Sequence, residues 1–313
     1  MARKIAWQDL FVLRRYQDQK LVLDNSLRLV HNPGLFSCSL LSLLLPSSEF
    51  YTAVEPGESD HKEMLIGQIS VPGNVLSARV AFLAPVGVGD VQDFSSLLSY
   101  LGGAAAERGA IQMLAEVPQT SASEEILSQS GFRIYADQQV WKLPRQVPYG
   151  SGQHSWIPGC RGDNERVSAL YHRVLPGQIQ HVEPSPTFPE ASGLVSWQDG
   201  RLIGTALTQF GPRGILLDVL IDPTVDAVDE YLGALMFHLP YRATRNVYLR
   251  VRSYQQTLMS ALERIGAYPG EEQRAMVKKM AVHYNAKQTF AVQNFENQPD
   301  ITTPISRSKF KNN

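Results

Sequence analysis

The strongest constraint on this chain is that its pattern occurs twice. The segment LIGQI at Leu65 to Ile69 is echoed by LIGTA at Leu202 to Ala206, and IQMLAEV ending at Val117 is echoed by NVYLRVR around Val251. Each copy then has a helical stretch that ends at a glycine, ILSQSGF at Gly131 and ALERIGAY at Gly266. The offsets stay at 134 to 137 residues from one end of the repeat to the other, and a register kept that long points to duplication of a whole domain. A chain of 313 residues with 43% hydrophobic content has room for two such cores, so a disordered or fibrous chain is excluded.

Within the second copy, Gly193 to Trp197 and Leu202 to Phe210 read as strands joined through Asp199-Gly200, a hairpin signal. Ile215 to Ile221 is a nearly continuous apolar run, as expected of a strand buried on both faces. Val225, Val228, Leu232, Leu235, Met236 and Leu239 fall on one face of a helix that Pro240 stops. Val247 to Val251 predicts a strand, Thr257 to Ile265 a helix ended by Gly266, and Arg274 to Val282 a last strand. The first copy repeats this order. Its strands are Phe50 to Val54, Leu65 to Val71, Ala78 to Leu83, Ile111 to Val117 and Phe132 through Leu143; its helices run through Phe94 to Ala105 and from Glu124 to Ser130. Proline and glycine concentrate in Pro144 to Gly159, the expected linker.

Both halves resemble the GNAT superfamily of acyl-CoA-dependent N-acyltransferases, arranged in tandem. The resemblance is carried by the LIGQI and LIGTA strands, the apolar strands running into Pro85 (FLAP) and Pro223 (LIDP), the helix after each, and the late glycines in LSQSGF and LERIGAY. It covers nearly all of residues 10 to 282. It implies an α/β (α+β) fold of two domains, 1–147 and 153–284, each a mixed, mostly antiparallel sheet with flanking helices and a central V-shaped splay, followed by a flexible tail at 285–313. It also implies acetyl-CoA or another acyl-CoA as cofactor, entering between the strand ending at Pro85 or Pro223 and the strand ending at Val117 or Val251. An acyl group would pass to a small-molecule amine. The first copy would bind cofactor through Leu83, Val86, Gly87, Val88 and Gly89, and Tyr254 would line the second gap.

Several residues depart from the family pattern. The pyrophosphate loop of such proteins is Arg/Gln-x-x-Gly-x-Gly/Ala, because bare N–H groups at a helix start cradle the anion. The first copy reads Pro85-Val86-Gly87-Val88-Gly89-Asp90 and the second Pro223-Thr224-Val225-Asp226, with no glycine. Asp90 with Asp93, and Asp226 with Asp229, read as helix caps that repel a pyrophosphate. The tyrosine that family members place four residues before the late glycine is Leu127 or Leu262 here. Asp218, inside an apolar strand, is the candidate catalytic base, since desolvation raises a carboxyl pKa. The competing reading pairs Asp218 with Arg250 or Arg252. Two functions therefore compete: an N-acyltransferase, and a noncatalytic GNAT-fold protein that binds another small ligand or a protein partner.

Other classes are disfavoured. Lys+Arg 29 against Asp+Glu 30 gives a net charge of −1, which argues against nucleic acid as the main partner. Leu35 to Leu45 is about half the ~20 residues a spanning helix needs, so no membrane span is expected. The seven histidines show no HxH or HExxH spacing, and Cys38 and Cys160 lie far apart, so no metal site is expected and a cytoplasmic protein is. Cys38 reads as a core residue, His238 as an edge histidine, and Asp163 as the N-cap of a helix running to Val174.

Overall fold

A computed structural model describes residues 1–31, 39, 43–44, 49–57, 64–72, 76–86, 93–146 and 155–280. Gly87, Val88, Gly89, Asp90, Cys38 and the 285–313 tail lie outside the described residues, as does much of the linker. In the first half come β1 (Arg3–Lys4), α1 (Leu10–Arg15), β2 (Leu21–Val22), β3 (Phe50–Glu55), β4 (Leu65–Ser70), β5 (Ser77–Ala84), α2 (Ser95–Glu107), β6 (Gln112–Pro118), α3 (Ala122–Gln129) and β7 (Arg133–Lys142). The second half has β8 (Trp156–Pro158), α4 (Asn164–Val174), α5 (Gly177–Gln180), β9 (Gly193–Gln198), β10 (Arg201–Phe210), β11 (Gly214–Ile221), α6 (Val228–His238), β12 (Asn246–Arg252), α7 (Gln256–Arg264) and β13 (Tyr268–Lys279). From β3 and β9 onward the two halves run through the expected order of hairpin, strand, helix, strand, helix, strand.

Local chemistry explains most of the boundaries. Asp199 and Gly200 both take positive φ, as a tight hairpin matching strand twist requires. Gly131 and Gly266, at φ 88° and 73°, stop α3 and α7. Behind each the chain turns back, with Phe132 N–H on the Leu127 carbonyl and Ala267 N–H on the Leu262 carbonyl. The glycine of each LIG repeat is required by packing. A Cβ on Gly67 would lie 2.8 Å from Leu101 Cδ1, and one on Gly204 would lie 2.9 Å from Trp156 Cη2. Two boundaries differ from expectation. Helix α6 begins at Val228 rather than Val225, because the Asp222 carboxylate ties Thr224 into a turn before it. Strand β13 starts at Tyr268 because its first residues pair with β7, Tyr268 opposite Lys142, before β6 joins on the other edge at Gln273.

The two halves share one sheet, ordered β1-β3-β4-β5-β6-β13-β7-β12-β11-β10-β9-β8, with β2 added on β5. The order is palindromic in repeat terms. The last strand of the first half, β7, pairs antiparallel with β12 of the second; the last strand of the second half, β13, pairs antiparallel with β6 of the first. The cores are exchanged accordingly. Met276 of β13 packs among Leu97, Leu101, Met113 and Leu127 of the first half. Trp141 and Leu143, around the end of β7, pack among the second half's Leu217, Leu235 and Leu262. Residues Met1–Ala281 accordingly form one compact unit. The segments after α1 and α4 also cross over: Val30 packs on Val140 and Leu216, and Val182 packs on Leu114 and Val277.

Candidate functional site

Parallel neighbours β5 and β6 pair only from Ser77/Gln112 to Arg79/Leu114 and then splay. Their counterparts β11 and β12 stay paired as far as Asp218/Arg250 before they part. Each half therefore has the V-shaped gap that the family resemblance implies, and its edges carry peptide groups that need partners.

In the first gap those partners come from the chain's own N-terminal segment. Strand β2 pairs with β5, Leu21 opposite Leu83 and Val22 opposite Phe82. Leu23 then spans the gap: its N–H donates to the Ala81 carbonyl at 3.0 Å, and its carbonyl accepts the Glu116 N–H at 2.9 Å. Val86 N–H donates to the Gln19 carbonyl at 2.8 Å, and Asn25 N–H donates to the Glu116 carboxylate at 2.8 Å. Leu83 and Val86, expected to meet a cofactor, face this segment.

The second gap is bridged at its apex by one side chain. Gln255 donates from Nε2 to the Val219 carbonyl at 2.7 Å and accepts the Arg252 N–H at 2.8 Å, replacing the next rung of the ladder. Below it the loop before α6 is closed by the buried Asp222. Its carboxylate accepts the Thr224 N–H and hydroxyl and meets Arg173 and Arg201 at 2.7 and 2.8 Å. Burial alone would push this carboxyl up, but Thr224 and the two guanidiniums hold it below the usual range. Asp226 is exposed ahead of the helix rather than capping it, and Asp229 in the first turn pairs with Arg264. In the first half Asp93 lies one residue before the N-cap Phe94, and its carboxylate accepts the Ser95 N–H at 2.8 Å. The second-half loop does not fit a CoA pyrophosphate: the Thr224 N–H that would meet it is held by the Asp222 carboxylate.

Between the gaps, the sheet centre carries a buried charge network that joins the halves. Arg250 holds Asp218 in two hydrogen bonds of 2.6 Å and also meets Glu116. Burial pushes the Glu116 carboxyl up, but Arg250, Arg79 and Arg252 outweigh it and bring it down to about 2. Asp24, buried beside them, is pushed up by burial, with Arg79 opposing and Glu116 reinforcing the shift. Arg252 pairs with Glu183, which also accepts the Tyr135 hydroxyl at 2.6 Å. Tyr254, placed by its position after β12, packs near Leu175, Leu220 and Tyr171. Burial raises the pKa of both Tyr171 and Tyr254, with Glu183 adding to it, so both phenols keep their protons. Arg252 Nη1 and Gln138 Oε1, on residues paired across β12 and β7, are buried without a hydrogen-bond partner.

The sequence-derived candidates thus separate. Asp218 sits in the bidentate pair with Arg250, the structural alternative weighed for it, with both carboxylate oxygens engaged by charge-assisted bonds. Leu127 and Leu262 are fully buried core residues. Asp163 precedes α4 as expected, although its carboxylate takes the Cys160 N–H, and His238 is exposed at the end of α6. Sequence reasoning missed Glu116, Glu183, Gln255 and the β2 segment, whose partners come from distant parts of the chain. One signal was available: Glu116 and Arg250 are repeat equivalents of opposite charge inside apolar strands, 134 residues apart.

No protein-family model and no curated protein sequence matches the chain. Solved structures do. A GCN5-related N-acetyltransferase from Sphaerobacter thermophilus superposes with a TM-score of 0.50 at 13% identity, over 89% of this chain and 95% of its own. The chain has the GNAT fold. A tandem GNAT protein from the clavulanic acid biosynthesis pathway aligns at 15% identity over 89% of this chain and 98% of its own, with a TM-score of 0.49. Among the described residues there is no helix long and apolar enough to cross a membrane, and no cluster of metal-ligating side chains.

Proposed function

We propose that this chain is a noncatalytic GNAT-fold protein, one that has exchanged acyl-CoA chemistry for binding of another ligand or a protein partner. One observation carries the reading. The first gap, where a cofactor's amides would pair with the strand edges, is filled by the main chain of Leu21 to Leu23. The Asp222-closed loop and the buried leucines at 127 and 262 support it, since the loop N–H of Thr224 is already engaged in the second half and neither leucine can be the acid that the family places at that position. Acyl transfer from acetyl-CoA to an amine is the second reading, and its seat would be the second half. Leu220 and Ile221 continue past the last pair with β12, and Gln255 spans only the apex of that gap.

Calorimetric titration with acetyl-CoA tests the choice. The noncatalytic reading expects no heat and no thermal shift at millimolar acetyl-CoA. Saturable binding that Gln255→Ala alters and Leu23→Ala leaves alone would replace it with an acyltransferase seated in the second half.

A further inference from the structure

A second feature lies away from both gaps, at the end of the sheet where β7 finishes and β12 begins. A pocket of roughly 340 Å³ is lined there by Arg145, Gln146, Arg242 and Ala243. That volume lies at the lower end of the range for small-molecule sites. The turn that presents Arg242 and Ala243 is tied at Tyr241, whose carbonyl accepts the Thr244 N–H, the Arg245 N–H and the Thr244 hydroxyl, each at 3.1 Å. Tyr241 holds a φ of 61° to do this, a conformation that costs energy for a residue other than glycine.

The charge here is unbalanced. Several arginines of this chain meet a carboxylate, the buried Arg250 and Arg252 and the more exposed Arg173, Arg201, Arg264 and Arg274 among them. Among the described residues Arg145, Arg242 and Arg245 have no such partner. Arginines elsewhere, such as Arg166 and Arg213, also lack one among the described residues; these three are set apart by lying together, Arg145 and Arg242 on one pocket and Arg245 three residues beyond Arg242. Two large aromatic side chains stand exposed beside them, Phe237 at 63% and Tyr241 at 64%. Arg242 lies over the Phe237 ring at 5.9 Å and Arg245 over the Tyr241 ring at 4.8 Å, which orients both cations.

We propose that this pocket binds a small phosphate ester, with Arg145 and Arg242 as the anion's donors, Gln146 as a further polar contact, and Phe237 or Tyr241 as a stacking surface for an aromatic group. Two guanidiniums facing one cavity suit the several oxygens of a phosphate, which accept paired N–H bonds. The proposal does not depend on whether either gap binds acyl-CoA.

Calorimetry of the full chain at fixed low salt tests it, with inorganic phosphate, pyrophosphate, AMP and a short single-stranded oligonucleotide as probes. The expected result is saturable binding of AMP or pyrophosphate that weakens at least tenfold in Arg145→Gln/Arg242→Gln and is unchanged in Arg166→Gln, an arginine stacked on Trp197 elsewhere. AMP binding more tightly than inorganic phosphate supports the aromatic contact. Absence of binding by every small probe, or binding that the double variant leaves intact, overturns the proposal. A lower Tm in the double variant without any small-probe binding also overturns it and makes the arginines counter-charges for the carbonyl end of α6. Binding confined to the oligonucleotide overturns it in favour of a nucleic-acid surface.

Discussion

Replacing Arg250 by methionine tests whether the buried charge network holds the two halves together. The side chain of Arg250 is 5% exposed, as is that of its partner Glu116, while Asp218 at 27% retains access to water. Removing the guanidinium therefore leaves one buried carboxylate with only the Asn25 N–H and the more distant Arg79, and only partly affects the other. Breaking a buried pair by deleting one partner costs about 3–5 kcal/mol. At roughly 2–4 °C of Tm per kcal/mol for a chain of this order of size, the drop should be about 6–20 °C. The pH dependence follows from Glu116. Its folded pKa of about 2 lies below the ordinary 4.5, so in the native protein its contribution is complete above 4.5 and is lost as pH falls toward 2. In the variant the largest opposing charge is gone and burial pushes the carboxyl upward, so protonation relieves the variant at higher pH. The difference between the two proteins should be greatest at neutral pH, begin to shrink where the variant's Glu116 takes up its proton, and go on shrinking as pH falls toward 2. Urea denaturation at several pH values measures it. A cost under about 1 kcal/mol at pH 7, or a difference independent of pH, would refute the reasoning. Glu116→Leu in the Arg250→Met background should recover part of the loss, because the stranded charge is then absent.

Three further outcomes are expected. Leu23→Pro removes the N–H that satisfies the buried Ala81 carbonyl and should cost about 1–3 kcal/mol; an unchanged Tm would mean that the β2 segment does not seal the first gap. Asp222→Asn should cost about 1.5–3 kcal/mol at neutral pH, since charged hydrogen bonds to Arg173 and Arg201 are lost. Because that carboxyl's pKa is lowered in the fold, the wild-type advantage should fade in acid, and denaturation curves for the two proteins should converge there. Residues 1–147 and 153–313 expressed separately should fail to fold and, expressed together, should copurify, because each supplies the strand next to the other's β6 or β12; a cooperative thermal transition in either half alone would contradict the exchange.

What could be read from the residues depended on how local its cause was. The Asp199-Gly200 turn and the helix stops at Gly131 and Gly266 follow from backbone sterics within a few residues, and all three stand where expected. The glycines of the two LIG strands were visible as a repeat, although their reason, a leucine over one and a tryptophan over the other, lies in packing. Asp218 marks the boundary. Its place in an apolar strand allowed both a base and an ion pair, and only the position of Arg250 on the neighbouring strand distinguishes them. Tyr254 lies beside the second gap, but its neighbours Tyr171 and Leu175 come from the segment around the end of α4.

The sequence by itself determined the duplication, the order of elements in each copy and the GNAT-like pattern, because hydrophobic period and turn chemistry act over short stretches of chain. The tertiary structure decided which strand pairs with which. A β7 edge satisfies β12 as well as it would satisfy its own half, and the choice falls to the summed packing of Trp141, Leu143 and Met276 in the opposite cores. The same long-range packing decided the fate of the first gap, where the unpaired edges of β5 and β6 are satisfied by Leu23, a residue that no local pattern connects to them.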